Sequence, residues 1–265
     1  MFKLSRQAFY KYKQRRVAEE LQEEIILQLV NEIRYKLPRI GGRKLYHMLQ
    51  EDFNRLPSKP GRDKFFGILR QNGLLVQRTR RYTKTTQSFH RFRVYTNLIK
   101  DRTVTRANEV FVADITYIRL KDRFCYLFLV TDVYSRKIVG YKLSNSLAVE
   151  GALQAMRMAF SRQVGMNTRG LIHHSDRGFQ YCCPEYVDLL QSHGIELSMG
   201  EVGNPYDNAI AERVNGILKT EFFLNATFAN EKHAAQAATE AVALYNDLRP
   251  HMSIGYMTPS VKYAA

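Results

Sequence analysis

Cysteine is scarce and long apolar runs are missing, and both absences narrow what this chain can be. Three cysteines in 265 residues, Cys125, Cys182 and Cys183, are too few and wrongly spaced for a disulfide framework or a zinc site. No apolar run approaches the roughly 18 to 20 residues that cross a bilayer, and the start lacks the apolar stretch of a signal peptide. A cytoplasmic protein in a reducing compartment, with no membrane partner, is therefore expected. Internal repeats and sustained heptads are absent as well. What remains is an ordinary globular composition, 45% hydrophobic and 25% charged, in a chain long enough for two domains.

Positive charge is unevenly placed. Residues 1–106 hold 25 Lys and Arg against 9 Asp and Glu, a net of +16, whereas residues 107–265 hold 15 against 16, a net of −1. A basic module joined to a near-neutral domain suits nucleic-acid binding, where neutralised phosphates release counterions. A basic surface that merely aids solubility is the plainer alternative. The basic residues are spread over several segments rather than one amphipathic helix, which disfavours a membrane surface.

The pattern along the chain predicts three regions. Residues 1–76 read as helices separated by glycine turns, one over 5–35 with Ser5 as its cap, one opened by Gly41-Gly42-Arg43-Lys44, and one over Arg62–Arg70 closed by Asn72-Gly73. Basic outer faces give this region a helix-turn-helix-like, DNA-binding character, with Arg43 and Lys44 as candidate contacts. Residues 77–106 are basic and aperiodic and read as a linker able to follow a phosphate backbone, with Arg78, Arg80 and Arg81 as candidates. From residue 107 β-branched and aromatic runs predict strands at 110–118, 124–131 and 138–143 as an antiparallel meander. Helices are expected over 147–162, 182–193, after Asn204–Asp207, and over 231–245, with strands at 171–174 and 195–199 and an irregular tail.

Three carboxylates stand at informative places in this order. Asp114 is in the middle of the first strand, where an uncompensated charge is costly and a divalent cation is the natural compensator. Asp176 follows an apolar strand at its carboxyl end, where α/β folds bind ligands. Glu212 lies on a helix that Asp207 or Asn208 can cap, and shares one face with Asn215, Gly216 and Lys219. Asp122 and Asp132 flank strand ends and read as turn residues. His173 and His174 read as one core ring and one loop-shaping ring, with contact to a phosphate or metal as the alternative.

The 35-residue gap between Asp176 and Glu212 resembles the D,D(35)E superfamily of retroviral integrases and transposases. The wording is narrower still. Val112-Ala113-Asp114-Ile115-Thr116-Tyr117, His173-His174-Ser175-Asp176-Arg177-Gly178, Asn204–Asn208 with Ala211-Glu212, Lys219, Tyr245-Asn246-Asp247-Leu248-Arg249-Pro250-His251 and Thr258-Pro259 resemble the B-frame (OrfB-type) product of a bacterial insertion-sequence transposase over nearly the whole chain. The resemblance implies an α/β, RNase H-like mixed sheet preceded by a small all-α domain. It implies metal-dependent DNA strand cleavage and strand transfer at element ends, leading to DNA integration. Asp114, Asp176 and Glu212 would be the catalytic ligands of two Mg²⁺ ions, with Mn²⁺ as a substitute. Lys219 would contact DNA, and Asn208 would help to place the phosphate. The implied partners are double-stranded DNA (element ends and target), further copies of the chain on that DNA, and the product of an upstream reading frame. In this family frameshifting joins the two frames, so the chain is expected to be the catalytic half of a fusion, nucleoid-associated when bound to DNA. The zinc-binding His/Cys domain of retroviral integrases has no counterpart here. Two other classes remain open: a non-catalytic DNA-binding regulator, and a junction-resolving or RNase H-type nuclease that hydrolyses without joining.

Overall fold

The computed structural model describes residues 6–77, 92–161, 168–201 and 208–265. They divide into two compact units, Met1–Arg78 and Thr79–Ala265. The expected cap Ser5 and the candidates Arg78, Arg80 and Arg81 lie outside the described residues.

The first unit is all helical: α1 (Arg6–Lys36), α2 (Gly42–Met48), α3 (Gln50–Asn54) and α4 (Arg62–Gln71). Helix α3 was not expected; Leu49 and Phe53, one turn apart, both reach the core and extend the helical path. Rings of Tyr46, Phe53 and Phe65 meet at 5.5–5.7 Å between centroids. A side chain at Gly42 would strike the Phe66 ring at 2.9 Å, so glycine there lets α4 approach α2. The close of α4 is as expected: Gly73 takes φ 66° and the Leu74 amide bonds back to Leu69 O at 2.7 Å. Only from Gln22 onward does α1 bury side chains, through Gln22, Ile26 and Val30.

The second unit is built on β1 (Val110–Leu120), β2 (Phe124–Asp132), β3 (Ile138–Ser144), β4 (Ile172–Ser175) and β5 (Glu196–Met199), in the order β3-β2-β1-β4-β5. Strands β1 to β3 form the expected antiparallel meander, while β4 and β5 run parallel to β1. This is the RNase H-like mixed sheet. A two-residue β6 (Thr227–Phe228), absent from the expectation, pairs with the far end of β1. Alternation sends neighbours to opposite layers. Phe111, Ala113, Phe128, Val130 and Val139 pack with α5 (Val149–Ser161), α6 (Phe179–Cys182) and α7 (Pro184–Ser192). Ile118, Leu127, Leu129 and Ile138 pack with α8 (Ala209–Glu221) and α9 (Glu231–Asp247). The helix expected over 182–193 is α7, which starts at Pro184 because Cys183 is extended (φ −71°, ψ 149°) ahead of it, as residues before proline prefer; the short α6 in front of it was not expected. The cysteines are buried and free. Residues 92–106 do not hang loose: Phe92 and Tyr95 pack against the core, and the Leu98 amide donates to Ser198 Oγ at 2.8 Å.

The tail, expected to be irregular, contains a short 3-10 turn (Met252–Ile254) and a terminal helix. Thr258 caps a short α10 (Pro259–Ala264), with proline at its first turn. Tyr245 Oη donates to Arg136 O at 2.9 Å, and Asn246 takes both the amide and the carbonyl of Ile138 at 2.9 and 3.0 Å. Arg249, 1% exposed, grips Glu221 at the end of α8 with two bonds of 2.8 and 2.7 Å. Asp132 serves a turn, as expected, accepting from Ser135 N and Oγ and from Asn108 N. Asp122 makes an exposed pair with Arg123.

Both histidines are buried within β4, so His174 is a second strand ring and not the loop-shaping one expected. His173 Nε2 lies 2.9 Å from Tyr186 Oη, and burial, with His174 next, pushes its pKa down to about 3. His174 Nδ1 lies 2.8 Å from Ser198 Oγ. Two outcomes follow for stability. Arg249→Ala leaves Glu221 without its bidentate partner and should cost about 3–5 kcal/mol in denaturant unfolding. His173 stays neutral when folded but takes a proton near pH 6.5 when unfolded. The unfolded state then binds more protons, so stability should fall as pH drops from about 6.5 toward 3. His173→Gln should flatten that part of the curve; an unchanged slope would locate the titration elsewhere.

Candidate active site

The sheet brings two of the three carboxylates together through strand register. The parallel pairing of β1 with β4 runs to Ala113 opposite Ser175. The next residue on each chain is an acid, Asp114 on the continuing strand and Asp176 just past the end of β4. Asp176 is held there by its loop: Oδ1 accepts from Gly178 N at 3.0 Å, and Arg177 Nε donates to Gly200 O at 2.9 Å. A Cβ on Gly178 would lie 3.0 Å from Asp176 Oδ1, so any larger residue there would press on that carboxylate.

The third acid arrives on α8. Asn208 is at the N-cap position, its carbonyl accepting from Glu212 N at 3.0 Å, yet its side chain makes no cap bond. Its Nδ2 instead donates to Ala113 O at 3.1 Å, which corrects the capping expectation. Asn215 Nδ2 donates to Asp114 Oδ2 at 2.7 Å. Glu212 lies four residues after one of these anchors and three before the other, so it shares the face turned to β1. It is exposed, whereas Asp114 and Asp176 are half-buried. Lys219, one turn beyond Asn215, is half-buried; burial lowers its pKa while Asp114 raises it.

Electrostatics ties the group together. Burial first, then Asp176, and to a lesser degree Glu212, push the Asp114 carboxyl up to about 7; the Ile115 amide and Asn215 pull the other way. Tyr181, buried on α6, is raised well above its usual pKa by burial, Tyr186, Asp114 and Asp176, so it stays a phenol. Like charges gathered at a half-buried carboxylate make a site for a cation. Its donors are hard oxygens suited to Mg²⁺ or Mn²⁺. Ser175 Oγ, Asn208 Oδ1 and Asn215 Oδ1 are buried beside them with no hydrogen-bond partner among the described residues. The donor chemistry therefore fits. As the side chains stand, no three His, Cys, Asp or Glu groups among the described residues are close enough to hold one ion. The acids share a field rather than a finished coordination sphere.

Sequence reasoning missed two participants. Asn215 touches Asp114 directly, and its place on the Glu212 face was the signal available. Tyr181 gave none, because a tyrosine on a short helix reads as core. Arg43 is exposed and Lys44 half-buried on α2 of the first unit.

Known proteins bear on this geometry. Models described as integrase core domain match residues 104–205 and 193–259. The insertion element IS600 uncharacterized 31 kDa protein of Shigella sonnei is 32% identical over 98% of this chain and 95% of its own. Transposase InsF for insertion sequence IS3A of Escherichia coli K12 is 31% identical over 72% of this chain and 66% of its own. Among solved structures, a chain of the simian T-cell lymphotropic virus intasome in complex with PP2A regulatory subunit B56 gamma aligns with a TM-score of 0.51 and 17% identity. The alignment covers 86% of this chain and 72% of that one, a likeness of fold. With the integrase core matched from β1 to α9 and a relative aligned almost end to end, this chain belongs to the insertion-sequence transposases that carry an integrase-like core, DDE-type polynucleotidyl transferases.

Proposed function

We propose that Asp114, Asp176 and Glu212 are the catalytic carboxylates of this transposase, and that they hold divalent cations, Mg²⁺ in the cell. The observation that carries this is the docking of α8. Asn208 on Ala113 and Asn215 on Asp114 bracket Glu212 in the chain, which supports placing it on the helix face packed against the strand of Asp114. The integrase core implies a divalent metal, and the raised Asp114 pKa describes a carboxylate that such a charge would ionise. When bound, the ions supply Lewis acidity at the scissile phosphate and a more acidic attacking hydroxyl.

The chain's own residues then orient and hold. Asp114 is fixed by two bonds, from Ile115 N and Asn215 Nδ2, so its oxygens present one orientation. In cleavage a water oxygen bonds to phosphorus as the bond to the 3′ oxygen breaks. In joining, the freed 3′-hydroxyl attacks a target phosphate and displaces another 3′ oxygen, with protons passing to solvent. No protein nucleophile is involved. Lys219, drawn toward Asp114, suits a DNA phosphate near the acids, whereas the amide of Asn208 is spent on β1, which gives it a positioning role. Arg43 and Lys44, and from the sequence Arg78, Arg80 and Arg81, are the cations proposed to meet phosphates of the element ends. Further copies on DNA and an upstream-frame product complete the proposed assembly, in the cytoplasm at the nucleoid.

Labelled duplex ends from beside the gene, incubated with Mg²⁺ or Mn²⁺, test this reading. Glu212→Gln or Asp114→Asn should reduce cleavage and joining by about a thousandfold or more while leaving end binding in place. Cleavage by the Glu212→Gln protein at the wild-type rate would remove Glu212 from the site. Asn215→Ala should retain DNA binding and lose roughly 10- to 100-fold in activity, the range for partners that orient metal ligands. An equal loss of binding and activity would assign Asn215 to DNA contact instead.

A further inference from the structure

A second concave site in the same unit has no part in the chemistry just described. It is a cleft of about 590 Å³ lined by Arg102, Tyr134, Arg136, Ile210, Lys262 and the turn around Gly255. Its cations come from three separate segments: Arg102 precedes β1, Arg136 is in the β2–β3 turn, and Lys262 is on α10. No carboxylate is among the lining residues. Arg102 is balanced by its pairing with Glu109, and Arg136 and Lys262 add two more cations that focus positive potential at the concavity.

Each cation is also held in place. Lys262 Nζ donates to Tyr134 Oη at 2.6 Å. Arg136 Nη1 donates to Val133 O at 2.5 Å, and Arg102 pairs with Glu109 at 2.9 Å. Arg136 takes φ 67°, a left-handed conformation that glycine or asparagine adopts at lower cost, so the turn gives up backbone ease for an arginine. Behind the turn, Asp132 spends its oxygens on Ser135 and Asn108. Ile210, at the edge of the cleft, is two residues before Glu212 on α8.

We propose that this cleft binds a backbone phosphate of the DNA strand that passes the acids, with Arg102, Arg136 and Lys262 as its ligands. A phosphodiester offers several acceptor oxygens to two guanidinium forks and an ammonium, and needs no base to be read. Seated beside the start of α8, it would set the register of the strand against Glu212. The proposal rests on the strand-transfer reading above.

The test uses the whole chain and duplex element ends. Lys262→Gln, Arg136→Gln and Lys262→Arg are compared with wild type in a salt series, with thermal unfolding as the check on fold. Each Gln variant should weaken binding and lower the log–log salt slope by about 0.9, a roughly threefold smaller loss of affinity between 50 and 200 mM salt. Lys262→Arg should keep the slope. A single neutral methylphosphonate at the contacted position should weaken wild type but not Lys262→Gln. If wild type cleaves and joins while both folded Gln variants bind with wild-type affinity and slope, the cleft proposal is overturned and the function stands. A shift in melting temperature with inorganic phosphate that depends on Lys262, without any change in DNA slope, would overturn it in favour of a small-anion site. Wild type that neither binds nor cleaves end DNA would overturn the functional reading, and this proposal with it.

Discussion

The chemistry proposed for this protein depends on one helix being fixed against one strand. Helix α8 shares no backbone ladder with the sheet, so side chains alone decide where Glu212 stands. Val214, Ile217 and Leu218 supply the apolar contact, but apolar packing tolerates sliding. Polar anchors remove that freedom. Asn208 seizes Ala113 at one end, Asn215 seizes Asp114 in the middle, and Glu221 is seized by Arg249 at the other. A buried ion pair such as Arg249–Glu221 adds little net stability over an apolar pair, yet is costly to break. Its value here is placement.

That placement forces an electrostatic conflict which the fold tolerates. Asp114 is set in the central strand, beneath a helix and beside Asp176, and its carboxyl resists ionisation up to about pH 7. An apolar residue at this position would be easier to bury. The surrounding structure absorbs the cost through a continuous five-stranded order and two packed layers, and it keeps buried oxygens of Ser175, Asn208 and Asn215 nearby without protein partners among the described residues. Local rules broken at one point, with sound structure around it, are what a functional site is expected to show.

The charge division has a parallel physical logic. A net of +16 in residues 1–106 and −1 beyond confines long-range attraction for DNA to one part of the chain. Beyond residue 106 the positive charge includes local features, Lys219 beside the acids and, with Arg102 from the basic part, Arg136 and Lys262 beside the start of α8. Diffuse charge draws a polyanion in and fixed charge sets its register.

The sequence by itself determined the strands of the meander, the helix that bears Glu212, the turn role of Asp132 and the family, because these rest on local periodicity and on residues fixed in spacing. It pointed to Asp114 and Asp176 because a charge within an apolar strand, or just past one, is locally anomalous. It did not give the use of Asn208 as a strand anchor instead of a cap, the hold of Asn246 on β3, or the bond from Asn215 to Asp114. Those outcomes depend on partners about a hundred residues away: Asn208 on Ala113, Asn246 on Ile138, Asn215 on Asp114. A side-chain amide has the same local chemistry wherever it sits. Only the folded chain decides whether it bonds to its own helix, to a distant strand or to a half-buried carboxylate.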